Sequence, residues 1–207
     1  MTENFKKNYY LEASLRFFET NYEKRLKFLD TKNFLFSEIS HFINNCIDNT
    51  KNTYIFCAGN SLISKNIKSN KVYVKEINEK YEINYNTTIE YTNEFHEDKI
   101  KDCDTVLIAD IEHQQNPTSN LLSLAKIIHD DTKIIVLSKS LFWMSMLKFL
   151  KYFFNFFSKK NNFLPSSYLN NLYSSCNLEI IRNEKIIALP ANIPFLTNFI
   201  NKIFRLP

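Results

Sequence analysis

Glu76, Asp110 and His113 are the side chains of this 207-residue chain best suited to handle a polar ligand, and each stands at or just past the end of a short apolar run. A carboxylate just after a second strand, about 20 residues beyond a first strand-to-helix loop, is placed to accept both hydroxyls of a ribose. Glu76 has that spacing; the competing reading is a solvated strand-end charge, with Glu79 and Glu82 close by. Asp110, followed by Ile111, Glu112 and His113, closes the apolar run Thr105–Ala109. Side chains there project into a cleft, where Asp110 or His113 can orient a substrate or take a proton. Helix capping by Asp110 or Asn116 is the bland alternative.

The loop that would complete such a site is Tyr54-Ile55-Phe56-Cys57-Ala58-Gly59-Asn60-Ser61. Small residues let backbone approach a ligand closely, and Gly59 does so without steric cost. Read alone, the octapeptide is equally an ordinary strand-to-helix turn. His41 and His129 lie within helical patterns and read as packing or surface residues. The chain contains no H-E-x-x-H, paired C-x-x-C or G-x-S-x-G, which disfavours a zinc enzyme or a nucleophilic hydrolase. A nicotinamide oxidoreductase expects G-x-G-x-x-G, which a chain with one Gly cannot supply.

These residues need a scaffold, and the apolar periodicity supplies one. Asn21 to Ile47 recurs at helical spacing with a break around Asp30 to Lys32, predicting two helices. Strands are predicted at Thr53–Cys57, Lys71–Lys75, Thr87–Tyr91, Thr105–Ala109 and Thr132–Leu137, the last continuously buried. Helices are predicted over Asn120–His129 and Ser166–Ser175, with a closing strand pair at Leu178–Arg182 and Lys185–Leu189. The alternation predicts an α/β fold in three layers, a mostly parallel sheet with helices on both faces, whose ligand site lies outside the carboxyl ends of the strands. We expect one domain over 1–207: N-terminal helices in 1–50, the α/β core in 53–189 with a helical insertion at 141–175, and a C-terminal tail over 190–207.

Composition agrees with a folded chain. Hydrophobic residues make up 44% and aromatics 15%, which excludes a disordered reading. The single Gly implies that Asn or Ser takes over positions needing left-handed backbone. The 26 basic and 22 acidic residues are dispersed, giving a net charge of +4 without a block that would point to nucleic acid. Cys46, Cys57, Cys103 and Cys176 read as reduced structural thiols. Met1 to Tyr10 is polar and lacks the apolar core of a signal peptide, so a cytoplasmic protein is expected.

From Thr53 to Leu189 the order of elements resembles the class I S-adenosylmethionine-dependent methyltransferases, and looks most similar to those associated with bacterial surface-glycan synthesis. The more specific pieces come late: Phe142-Trp143, Phe163-Leu164-Pro165-Ser166-Ser167, Leu189-Pro190, Ile193-Pro194 and the ending Leu206-Pro207. The resemblance implies a Rossmann-like fold and methyl transfer from S-adenosylmethionine to a small-molecule or glycan acceptor. It carries over Cys57, Gly59, Ser61, Glu76, Asn93 and Asp110 as cofactor-contacting candidates, with Asn93 where an adenine-contacting acidic residue is common. It transfers no catalytic residue; location alone makes His113, with Asp110, the candidate base for a sugar hydroxyl. The chain departs from the pattern at Ile55, where an acidic residue is usual, and at Cys57 and Ser61, where glycines are usual. Those departures motivate the alternative of a non-catalytic descendant acting as an interaction or membrane-surface module. Leu141 to Lys160 interleaves aromatics with Lys148, Lys151, Lys159 and Lys160, so it suits either peripheral contact with the inner face of a membrane or packing over the sheet edge.

Overall fold

The computed structural model describes residues 9–24, 27, 33–58, 62–78, 80, 88–92, 95–138 and 164–184. In chain order the elements are α1 (Glu12–Thr20), α2 (Asn33–Asn44), β1 (Thr53–Cys57), α3 (Leu62–Lys65), β2 (Val72–Glu76), β3 (Ile89–Tyr91), α4 (Glu97–Lys101), β4 (Thr105–Ile108), a 3-10 turn (Ile111–His113), α5 (Pro117–Ala125), β5 (Lys133–Val136) and α6 (Ser166–Ser175). The described strands form one five-stranded sheet in the order β3-β2-β1-β4-β5, and every neighbouring pair is parallel. The chain therefore builds outward from β1 to β3, then returns to the other side of β1 to lay down β4 and β5. Its reversal point is the gap between β1 and β4.

Side chains alternate across a strand, so a sheet covered on both faces must divide its residues between two cores. Tyr54, Phe56, Tyr73, Val106 and Ile108 share one apolar cluster with Phe18 of α1, Ile100 of α4, Leu121 and Leu124 of α5, and Leu169 and Leu172 of α6. Ile55, Cys57, Val72, Val74 and Leu107 share the other with Phe36 and Ile43 of α2 and Leu62 and Ile63 of α3. Helices thus lie on both faces of the sheet. Each such Ile, Val or Phe contributes about 1.5 to 3 kcal/mol by leaving water. All five residues of β2 are buried, including Lys75 at 1% exposure.

Local chemistry explains several boundaries. Asn116 accepts from the Ser119 N–H and Pro117 follows it, a cap and a preset φ that start α5. At the other end of α6, Asn177 takes φ 55°, while its N–H reaches Ser174 O and the Leu178 N–H reaches Tyr173 O. Asn thus fills the left-handed position that usually belongs to Gly.

Three expectations are corrected. β5 is an edge strand, exposed at Lys133 and only partly buried after it, because the described sheet ends there. Leu178–Arg182 is not a strand: Ile181 is 85% exposed and no described strand pairs with the segment, while Lys185–Leu189 lies outside the described residues. His129 stands in the turn beyond α5 rather than in the helix. Among the described residues, no helix is long and apolar enough to cross a membrane. The 141–160 segment lies outside them, as do the late motif pieces except Leu164-Pro165-Ser166-Ser167.

Candidate functional site

The carboxyl ends of β1, β2 and β4 bring Cys57, Glu76 and Asp110 to one edge of the sheet. The Cys57↔Glu76 register makes these two neighbours, and the ladder runs one step further through Ile77 N–H to Cys57 O at 3.1 Å. On the opposite side of β1, Ala109 N–H reaches Phe56 O at 2.9 Å, so Asp110 follows directly across the reversal point. Gly59, Ser61 and Asn93 lie outside the described residues.

Neither carboxylate is a solvated charge. Glu76 is 2% exposed and its Oε1 accepts the Ile77 N–H at 3.0 Å; Asp110 is 1% exposed. Burial pushes the Asp110 pKa up to about 6, against the opposing influence of the Gln114 amide, the Tyr10 hydroxyl, its own backbone N–H and the Lys75 charge. Gln114 Nε2 donates to Asp110 Oδ1 at 2.9 Å, while Oδ2 is buried without a hydrogen-bond partner among the described residues. Burial raises the Cys57 thiol well above its ordinary range, and Glu76 and Asp110 both push the same way. Such a thiol is protonated and inert at neutral pH.

The open cleft expected around Asp110 and His113 is instead covered. Residues 9–18 lie across this part of the sheet edge: Tyr10 forms an antiparallel bridge with Gln114, Leu11 N–H reaches His113 O at 2.9 Å, and Gln115 N–H reaches Tyr9 O at 2.7 Å. Tyr9 and Tyr10 are both buried, Tyr10 completely. The Tyr9 ring stacks on Phe56 at 5.9 Å, and Gln114 Nε2 donates to the Tyr9 hydroxyl at 2.7 Å. Tyr10 Oη reaches the Cys57 carbonyl at 3.4 Å and stands beside Asp110, without hydrogen-bond geometry to Oδ2. Burial, then the charge of Asp110, drives both phenol pKa values far up, so both stay neutral donors.

His113 does not join Asp110 at the carboxylate. Its Nδ1 meets Ser14 Oγ at 3.1 Å and its ring packs edge-on against Phe18 at 5.2 Å, so it holds α1 to the body. The capping alternative goes to Asn116; Asp110 precedes the 3-10 turn without a side-chain cap bond.

Sequence reasoning missed Tyr9, Tyr10, Gln114 and Lys75. For the first two a signal existed: Leu11, Leu15 and Phe18 recur at helical spacing immediately after the tyrosine pair, which marks a docked amphipathic helix. Gln114 is neutral, and Lys75 hides in an alternating strand. An aromatic cavity of about 20 Å³ adjoins Tyr9, Phe56, Phe95 and Gln114, room for about one water. Among the described residues no cluster of His, Cys, Asp and Glu is arranged to hold a metal ion. Compared with known proteins, the chain matches no family model, no curated sequence and no solved structure.

Proposed function

We propose that the chain binds a nucleoside cofactor at the carboxyl edge of its sheet, and that this cofactor is S-adenosylmethionine, used to methylate a small-molecule or glycan acceptor in a Rossmann-like methyltransferase fold. The observation that carries the reading is the pair of buried carboxylates, Glu76 and Asp110, on either side of the β1 end in a parallel sheet of order β3-β2-β1-β4-β5. Ligands of open parallel sheets bind at the reversal point, with an acidic residue after β2 on the ribose hydroxyls. A buried carboxylate oxygen without a hydrogen-bond partner among the described residues, Asp110 Oδ2, fits a site that awaits a donor group.

In this reading Glu76 receives the ribose and Asp110 an N–H or O–H donor of the ligand. The cofactor, when bound, supplies an electrophilic methyl on a sulfonium centre. The chain's part is to orient it, and apolar neighbours such as Phe56 and Ala58 keep water away. With Nδ1 engaged by Ser14, His113 serves as the base for an acceptor hydroxyl through its other ring nitrogen. Calorimetric titration with S-adenosylhomocysteine tests the proposal: micromolar binding to wild type, weakened at least about tenfold in Glu76→Ala, supports it. Absence of binding of this ligand and of S-adenosylmethionine to folded wild type and to folded Tyr10→Phe sinks it, and leaves the non-catalytic interaction module as the reading of the scaffold.

A further inference from the structure

We propose that the segment from Tyr9 to Thr20 is a lid over the carboxyl edge, with the Tyr10 phenol occupying the place of a ligand donor group beside Asp110, so that ligand entry requires the segment to lift. This rests on the nucleoside reading above and adds its regulation.

Four observations carry it. The segment lies at the reversal point, where a ligand of this sheet must sit: Tyr10 reaches the Cys57 carbonyl at the end of β1 and pairs with Gln114 just past β4. Tyr10 is fully buried beside Asp110, whose Oδ2 has no well-aligned hydrogen-bond partner among the described residues, so the phenol fills the space of a ligand donor. A ligand hydroxyl or amine placed on Oδ2 makes a better-aligned bond than the phenol does. The segment's backbone pairing is a single antiparallel bridge rather than a ladder; side chains add the Gln114–Tyr9 and Ser14–His113 bonds, the Tyr10–Cys57 contact, the Tyr9–Phe56 stack and the buried Phe18 ring. Finally, the closed arrangement excludes water from a carboxylate that prefers it, so closure carries an intrinsic cost that opening relieves.

A reversible covalent lock separates this from a fixed wall. The bonds Leu11 N–H to His113 O and Gln115 N–H to Tyr9 O flank the Tyr10–Gln114 pair. Such a non-hydrogen-bonded antiparallel pair has Cα atoms about 4.5 Å apart, within the span of a disulfide. The double variant Tyr10→Cys/Gln114→Cys is oxidised, the 10–114 link is verified by peptide mapping, and S-adenosylhomocysteine affinity is measured before and after reduction. A lid gives at least about tenfold weaker binding in the oxidised form, restored by reduction. Equal affinity in the two forms overturns it.

A second variant, Tyr10→Phe, keeps the ring and removes the hydroxyl. Loss of a closing contact worth about 1 kcal/mol raises the open fraction, and the apparent affinity tightens about fivefold. Unchanged or weaker binding contradicts the role given to the phenol. If wild type, Tyr10→Phe and the reduced double variant all fail to bind, the nucleoside reading fails and the lid with it. If wild type fails but Tyr10→Phe or the reduced double variant binds, the lid is supported in its strongest form.

Discussion

The two ends of the sheet treat their carboxylates in opposite ways. At the amino-terminal edge, Asp104 pairs with Lys51 at 2.6 Å and both side chains keep more than a third of their surface in water. Asp102 nearby accepts from Asn52 at 2.9 Å in an equally exposed setting. At the carboxyl-terminal edge, Glu76 and Asp110 are almost completely withdrawn from water, and Asp110 keeps an acceptor oxygen without a hydrogen-bond partner among the described residues. The exposed groups cost the fold nothing and contribute little. The buried ones are an expense that packing alone does not explain, since an apolar residue of similar volume is generally as good or better there. Desolvated carboxylates gathered at the carboxyl edge of a parallel sheet are the observation behind the site proposed there.

The contrast can be broken most forcefully by detaching the cover. Phe18 is 2% exposed and packs on His113, so Phe18→Ala lowers unfolding free energy by about 3 to 5 kcal/mol in denaturant titrations. The next effect has the opposite sign. Asp110 has a folded-state pKa of about 6 against an ordinary 3.8, so the folded protein holds the proton more tightly than the unfolded chain. Stability therefore falls as pH rises from about 4 to about 6, by about 3 kcal/mol, and the deficit persists above that window. Asp110→Asn, which keeps an oxygen for the Gln114 amide, removes the deficit. We expect it to be more stable than wild type at pH 8 by up to that amount and equal to it near pH 4. The same variant loses the ligand binding assigned to Asp110, a trade of function for stability.

Smaller effects sharpen the comparison. Asn177→Ala puts a residue less tolerant of left-handed backbone at φ 55° and costs about 1 kcal/mol, whereas Asn177→Gly is neutral or better. At the opposite edge of the sheet, Asp104→Asn leaves the melting temperature unchanged within error, and added salt erases any remaining difference. A large loss there would remove the distinction between the two edges.

Much of the fold was legible because parallel strands buried on both faces read as short apolar runs. Thr53–Cys57 and Ser166–Ser175 fall where the pattern put them, and Asn177 fulfils the expectation that Asn takes over positions needing left-handed backbone. Two features escaped for physical reasons. Residues 178–182 alternate like a strand, but alternation specifies pairing only when a partner is present, and none of the described strands provides one. The cover formed by Tyr9 and Tyr10 is a contact across about 100 residues, made by neutral aromatics in a stretch whose neighbours are charged. Local polarity concealed it. Position along the strands placed Glu76 and Asp110 at the carboxyl edge, yet nothing in their spacing disclosed that both are buried. Burial of a polar group depends on what packs over it, which is a tertiary property.

The most direct test follows the Asp110 carboxyl carbon by NMR as a function of pH in the free protein, with the resonance assigned by its absence from Asp110→Asn. The account predicts a midpoint near 6, reflecting a carboxylate held out of water beneath Tyr10. A midpoint at or below the ordinary value of about 4 would mean that hydrogen bonds and the Lys75 charge outweigh the withdrawal from water, and would contradict it.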